Sequence, residues 1–417
     1  MHKSLPLLLL LFPANNWWDV RETGADSNLR GVSVVSNSHS GEVVTIWATG
    51  SNATVVRSTD SGETWQKMRV PEAGSLDFRG VQALSPDTAY VMSSGEGPQS
   101  RIYKTVDGGQ SWKLQFKGEQ KAFFLDVLIC ESEKHCVALS DPVDGKFVVL
   151  ANLDGEHWRE LAREHMPAAL PKEGAFAASN SSLCLQGKDI YFGTGGPAAR
   201  LFSSHDFGQT WMVVETPILR GNASSGIFSL SCDENVLVAV GGDYQDPQRA
   251  YKNAAVSRDG GKTWQLATQP PGGYRSSIGR YDGGFVAVGP TGAEISVDGL
   301  TWKHIGSENF NAYSYSWKTG KGWAGGPHGS VARFLDQTKH RIERSSTCYG
   351  AVCSGKACTP DGENSNRMSH SLGTPWPSAS APENSHWRAA FSASPAKYLL
   401  GPGESSSASL TFPAAST

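Results

Sequence analysis

The stretch RSTDSGETW, Arg57 to Trp65, returns along the chain as KTVDGGQSW ending at Trp112, SSHDFGQTW ending at Trp211 and SRDGGKTW ending at Trp264. Two shortened copies, NLDGEHW ending at Trp158 and SVDGLTW ending at Trp302, complete the series. Its aspartates, Asp60, Asp107, Asp154, Asp206, Asp259 and Asp298, recur every 40 to 50 residues or so (roughly the period of propeller blades and other stacked arrays). A unit of that size cannot bury its own apolar face, so successive copies must pack on one another. No other feature of the chain restricts its fold as strongly.

Within each copy, short runs rich in Val, Ile, Phe and Tyr are separated by Gly, Pro, Asp and Ser clusters, and helical periodicity is nearly absent. In the first copy the runs are LRGVSVV, EVVTIWATG, ATVVRSTD and TWQKMRV, four strands that make one blade. The recurring Asp then falls in the turn between the third and fourth strands. There its carboxylate accepts hydrogen bonds from its own turn, and Gly supplies the positive φ a tight turn needs. Trp65, Trp112, Trp158, Trp211, Trp264 and Trp302 open the outer strands and offer large rings for packing. Six copies of one turn read as a device of the fold rather than as six catalytic aspartates.

After Trp302 the chain supplies NAYSYSW, GKGWAGG and SVARFLD but no further Asp turn, whereas NWWDVRETG near the N-terminus resembles the segments that follow each turn. The expected fold is therefore an all-β, seven-bladed β-propeller over residues 15–336, its N-terminal strand completing the last blade. Such closure removes exposed sheet edges.

A formal net charge of -3 does not create the basic field that nucleic-acid binding requires. No apolar run reaches the roughly eighteen residues of a membrane span, so stable membrane insertion is not expected. Lys3 followed by the apolar stretch Leu5 to Phe12 has the order of a signal peptide over residues 1–14, which predicts a secreted or periplasmic protein. In a eukaryotic host Asn52, Asn180 and Asn222 would head glycosylation tripeptides. Cys130 and Cys136 flank ESEKH between two strand-like runs and could cross-link a hairpin in an oxidising compartment. Cys184 and Cys232 read instead as buried packing residues. Residues 337–417 are rich in Ser, Pro, Ala and Gly and are expected to be a disordered tail. Its Cys348, Cys353 and Cys358 have no His nearby, so neither metal nor cofactor is expected, and the chain is expected to be monomeric.

At Asp60, Gly62, Thr64, Trp65 and their repeats the sequence resembles the Asp-box or BNR-repeat superfamily. That superfamily holds sialidases, sortilin-type receptors, xyloglucan hydrolases and photosystem II stability/assembly factors. LRGV, FRGVQ, RIYKTVDGGQSW, ALSDPVDGKF and VAVGGDY look most like the assembly-factor branch found in non-photosynthetic bacteria. The likeness covers Trp17 to Asp336 and specifies fold far more than function.

Aligning the copies places LRGV, FRGV, FLDV, AFAA, IFSL, YRSS and YSYS at the starts of the inner strands, on the face opposite the Asp turns. Arg30, Arg79 and Arg275 then come from blades one, two and six around one side of the central funnel. Guanidinium forks grip carboxylates and phosphates, so the three would bind an anionic group of a protein segment or glycan, unless each pairs with a local acid. The resemblance implies a similar role, since the assembly factors hold an acidic or C-terminal peptide segment on an arginine-rich patch. Tyr244, in GGDYQDPQRAYKN, joins them on a loop of the same face. The rival reading is a glycoside hydrolase at that face, working through Glu173, Asp141 or Asp243 as acid and base or nucleophile. The sialidase Arg-Ile-Pro landmark has no match, so none of that family's catalytic residues carries over.

Overall fold

The computed structural model describes residues 16–37 and 43–337. The expected signal peptide at 1–14 and the expected tail, apart from Gln337, lie outside the described residues. Seven antiparallel sheets follow one another along the chain. Blade one comprises Leu29–Ser36, Val44–Gly50, Thr54–Ser58 and Gln66–Met68 from inside to outside. The inner strands of blades two to seven are Asp77–Ala83, Leu125–Ser132, Leu183–Gln186, Asn222–Asp233, Ser277–Tyr281 and Ala312–Ser316.

The ring closes as the sequence predicts. Trp18–Glu22 pairs antiparallel with Ser330–Phe334, from Trp18 opposite Phe334 to Glu22 opposite Ser330, and so forms the outer strand of blade seven. At the inner end, Leu29 N–H donates to Gly326 O, and the Asn311 amide donates to Leu29 O and Asn28 Oδ1. Blade seven is thereby bonded to blade one at both radii.

Strand alternation would expose one face of a lone sheet, but here each face meets a neighbouring blade. Among the described residues seven apolar clusters accordingly lie one at each interface between blades, and an eighth, of Ala178, Phe228 and Tyr274, lies at the inner-strand starts. The second strand of blade one, Val44–Gly50, is buried along its whole length for this reason.

Each repeated Asp is engaged by its own turn. Asp60 Oδ1 accepts from Ser58 Oγ at 2.7 Å and Thr64 N at 2.9 Å, and Oδ2 accepts from Thr64 Oγ1. Asp107, Asp206 and Asp259 repeat the pattern with Ser111, Thr210 and Thr263. The shortened turns bring backbone N–H groups to Asp154 and Asp298. These bonds to the charged form hold the Asp107, Asp206 and Asp259 carboxyls down at about 2. Gly62 is needed twice over: its φ is +83°, and a Cβ there would lie 2.2 Å from the ring of Trp323 in the neighbouring blade.

Two expectations are corrected. Cys184 and Cys232 are joined in a disulfide that ties the inner strand of blade four to that of blade five, with Cα atoms 6.2 Å apart. They stand one repeat apart, and packing turns both side chains into the one interface. Cys130 and Cys136 are also bonded, directly opposite each other in blade three. The second correction concerns AFAA, which does not start the inner strand of blade four; that strand is Leu183–Gln186. Residues 175–181 are irregular and cross to the inner strands of other blades. Ala177 O accepts from Arg79 in blade two, and the Asn180 amide bonds Leu128 N and O in blade three. Ser179 donates to Ser276 O beside blade six, and Ser181 meets Ser229 of blade five. The segment is a plug across the funnel. Small Ala and Ser side chains let it approach so many backbones, and their hydroxyls with the Asn180 amide satisfy polar groups there.

Candidate functional site

The side chains above the plug are aimed by one repeated irregularity. In blade one Leu29 pairs with Gly50 and Gly31 with Thr49, leaving Arg30 as an extra residue between two rungs. The same β-bulge isolates Arg79 in blade two, Asp126 in blade three and Phe228 in blade five. A bulge bends its strand and redirects the extra side chain. All four residues line a single cavity of about 510 Å³ at the inner-strand starts, together with Phe124, Asp141, Phe176, Tyr244 and Tyr274.

Three kinds of surface meet there. The first is cationic. Arg79 donates through Nε to Asp77 at 2.7 Å and through Nη1 to Ala177 O at 3.3 Å. Arg30 makes neither a hydrogen bond nor an ion pair among the described residues, and burial, reinforced by the neighbouring Arg79 charge, pushes its pKa down. The second surface is aromatic. Phe176 and Phe228 stack with centroids 3.7 Å apart and planes at 10°, and Tyr274 and Tyr244 set their rings edge-on to Phe228 at 4.7 and 6.1 Å.

The third surface is acidic in composition. Asp141 Oδ1 accepts from Ala175 N at 2.8 Å, yet burial outweighs that bond and pushes the carboxyl up to about 6. Asp126 is 1% exposed and its Oδ2 has no hydrogen-bond partner. Burial above all, then the neighbouring Asp141, raises its pKa well beyond the ordinary carboxyl range, against the pull of Arg79. Asp126 was passed over in the sequence, although LRGV, FRGV and LDV put it in register with Arg30 and Arg79.

The other expected residues lie elsewhere. Arg275 does not reach the cavity: it is 1% exposed, and its Nε and Nη2 both bond Glu294 at 2.5 Å while Nη1 donates to Tyr274 O and Thr291 Oγ1. The local acid that completes this pair stands nineteen residues on, in the third strand of the same blade, too far away for sequence spacing to reveal. Glu173 is likewise locked, its carboxylate accepting from Arg200, from Thr194 Oγ1 at 2.6 Å and from Leu170 N at 2.8 Å. Asp243 accepts from Asn222 and Gln245 N, each at 2.9 Å. Burial would raise its pKa, but hydrogen bonds from Ser224, Asn222 and the Gln245 backbone hold it low. Of the three carboxyls offered for hydrolysis, Asp141 lines the cavity, while Glu173 and Asp243 have their oxygens occupied. Among the described residues no group of His, Cys, Asp and Glu is gathered to hold a metal. No helix there is long and apolar enough to cross a membrane.

Residues 14–277 match the model of the DUF6242 beta propeller domain. The chain belongs to that family. No curated protein matches this DUF6242 propeller. Among solved structures it is similar to YCF48 bound to D1 peptide, at 14% identity and a TM-score of 0.53, over 77% of this chain and 98% of that one. It is also similar to virginiamycin B lyase from Staphylococcus aureus, at 12% identity and TM-score 0.52, over 76% and 99% of the two chains. The WD40 propeller of Doa1 matches at 12% identity and TM-score 0.52, over 79% and 99%. At these identities the likenesses establish the β-propeller fold and leave the site to be argued from its own residues.

Proposed function

We propose that this DUF6242 propeller is a binding module whose plugged cavity captures an anionic segment of a protein. The observation that carries the reading is Arg30: a half-buried guanidinium, presented by a bulge, with no anion of its own among the described residues. Desolvating a charge without a partner is costly, and a ligand carboxylate or phosphate would relieve that cost with paired N–H···O bonds. YCF48, a propeller of the same fold, is seen with a peptide bound. That supports a peptide ahead of a glycan. The hydrolase reading is weakened by the engagement of Glu173 and Asp243 in bonds within the protein. The two disulfides favour an oxidising compartment, in keeping with export.

An acidic peptide array tests the reading. Arg30→Ala should remove binding and its salt dependence while leaving Tm within a degree or two, because no internal bond is lost. Full retention of binding in Arg30→Ala would refute the role of the cavity.

A further inference from the structure

Asp126 is a buried ionisable group of the cavity that the anion reading leaves without a task. It is carried by the third of four equivalent bulges, so the fold aims it where it aims Arg30 and Arg79. It is buried, at 1% exposed, and Oδ2 has no hydrogen-bond partner among the described residues. An ionised carboxylate held so would be costly, whereas a carboxylic acid would leave one O–H to donate.

We infer that Asp126 serves as a hydrogen-bond donor that, with Arg30, grips the carboxylate of a ligand whose apolar or aromatic body lies on the Phe176–Phe228 stack. The inference rests on the anion-binding reading and names the ligand class: a singly charged apolar carboxylate, such as the end of a peptide chain with an aromatic last residue. Charge and shape both point there. With Asp126 neutral, Asp77 offsetting Arg79 and Asp141 protonated below about pH 6, the arginines leave about one positive charge to be balanced. The ring stack, edged by Tyr274 and Tyr244, supplies a flat apolar wall. A cavity of about 510 Å³ admits a residue or two.

The groups facing Asp126 pull in opposite directions, and burial decides the balance. Asp141, on the adjacent strand His135–Val143 of the same blade, opposes its ionisation and Arg79 from blade two favours it, with burial the larger influence. Arg30, Tyr244 and Tyr274 line the same cavity from blades one, five and six, and Asp77 is held against Arg79. Burial raises the Tyr274 phenol, so it stays neutral. A neutral acid donates O–H···O⁻ to a carboxylate; an ionised one repels it. Affinity for the carboxylate therefore falls as pH rises through the Asp126 titration, although the ligand itself stays ionised throughout.

Calorimetry with N-acetyl-phenylalanine, and with N-acetyl-phenylalaninamide as the uncharged control, tests this between pH 5.5 and 8.5. The acid should bind, more weakly at high pH, and the amide should not. Asp126→Ala should weaken binding about tenfold at pH 5.5, the scale of one charge-assisted hydrogen bond. Asp126→Asn keeps an N–H donor but cannot ionise, so it should bind the acid at pH 5.5 and, in an Asp141→Asn background that removes the titration near 6, lose most of the pH dependence. That rescue separates a donor from a residue that merely supports the fold. Binding that depends on Arg30 but is indifferent to pH and to Asp126→Asn and Asp126→Ala would overturn this inference and leave the anion reading standing. Failure of both N-acetyl-phenylalanine and acidic peptides to bind would overturn both.

Discussion

Truncating Trp18 tests whether the N-terminal strand is a structural member of the ring or an appendage to it. Trp18 is fully buried although it lies on an outer strand, with ring centroids 4.8 Å from Phe310, 5.3 Å from Phe334 and 6.2 Å from Tyr313. These partners belong to a cluster that also holds Val286, Val288 and Ile295 of blade six, so the indole spans the interface between blades six and seven. Replacing a buried Trp by Ala costs about 3 to 5 kcal/mol, the lower end where the site can collapse. Here strand Ser330–Phe334 and the aromatic neighbours are held in place by blade six, so Trp18→Ala should cost about 4 kcal/mol. Val20, two residues along the same strand and 48% exposed, is the control: Val20→Ala should change stability by no more than about 0.5 kcal/mol. Urea denaturation followed by far-UV circular dichroism gives both values. Removing residues through Gly24 should have the larger consequence of leaving Ser330–Phe334 as an open edge, with aggregation the expected result. A Trp18→Ala protein within about 1 kcal/mol of wild type, or a soluble strand-deleted protein that melts cooperatively, would refute the closure as a source of stability.

Three further outcomes are expected. Arg275→Ala should destabilise by about 3 to 5 kcal/mol, because Glu294 would be left buried without its partner, and Arg275→Met with Glu294→Leu should recover much of that in the same denaturation assay. Converting Cys184 and Cys232 to Ser together should cost about 4 kcal/mol through the loop they close, read as a fall in Tm under non-reducing conditions that reductant then no longer deepens at that site. Asp141 should give stability a pH dependence opposite in sign to the usual carboxylate. Its folded pKa of about 6 lies above the unfolded value, so the native state holds the extra proton in between. Stability from this group is then full below about pH 4 and is lost as pH rises through about 6; urea midpoints that do not flatten over this window in Asp141→Asn would contradict it.

The repeat, the four-strand blade, the seven-fold count and the closing N-terminal strand were all readable in the sequence. Each rests on a pattern carried by neighbouring residues: alternation within a strand, Asp, Gly and Thr within one turn, and a fixed spacing between copies. Such local patterns survive without knowledge of what packs against them. The placement of Arg30 and Arg79 at the inner-strand starts is of the same kind, because register along a repeat is a local property. Which way a side chain points, and what meets it, is not. Arg275 holds the position in blade six that alignment equates with Arg30, yet Glu294 on the third strand draws it into the blade. Glu173 turns to Arg200 for the same reason. AFAA leaves the strand pattern because it opens the segment 175–181, whose bonds run to blades two, three, five and six, and Cys184 meets Cys232 only when blades four and five are brought together. Asp126 stood in an aligned motif, but its meaning depends on desolvation and on Asp141 and Arg79 beside it. Solvent exclusion and charge proximity are sums over the whole surrounding structure, so the chemistry of the cavity was decided by the tertiary fold alone.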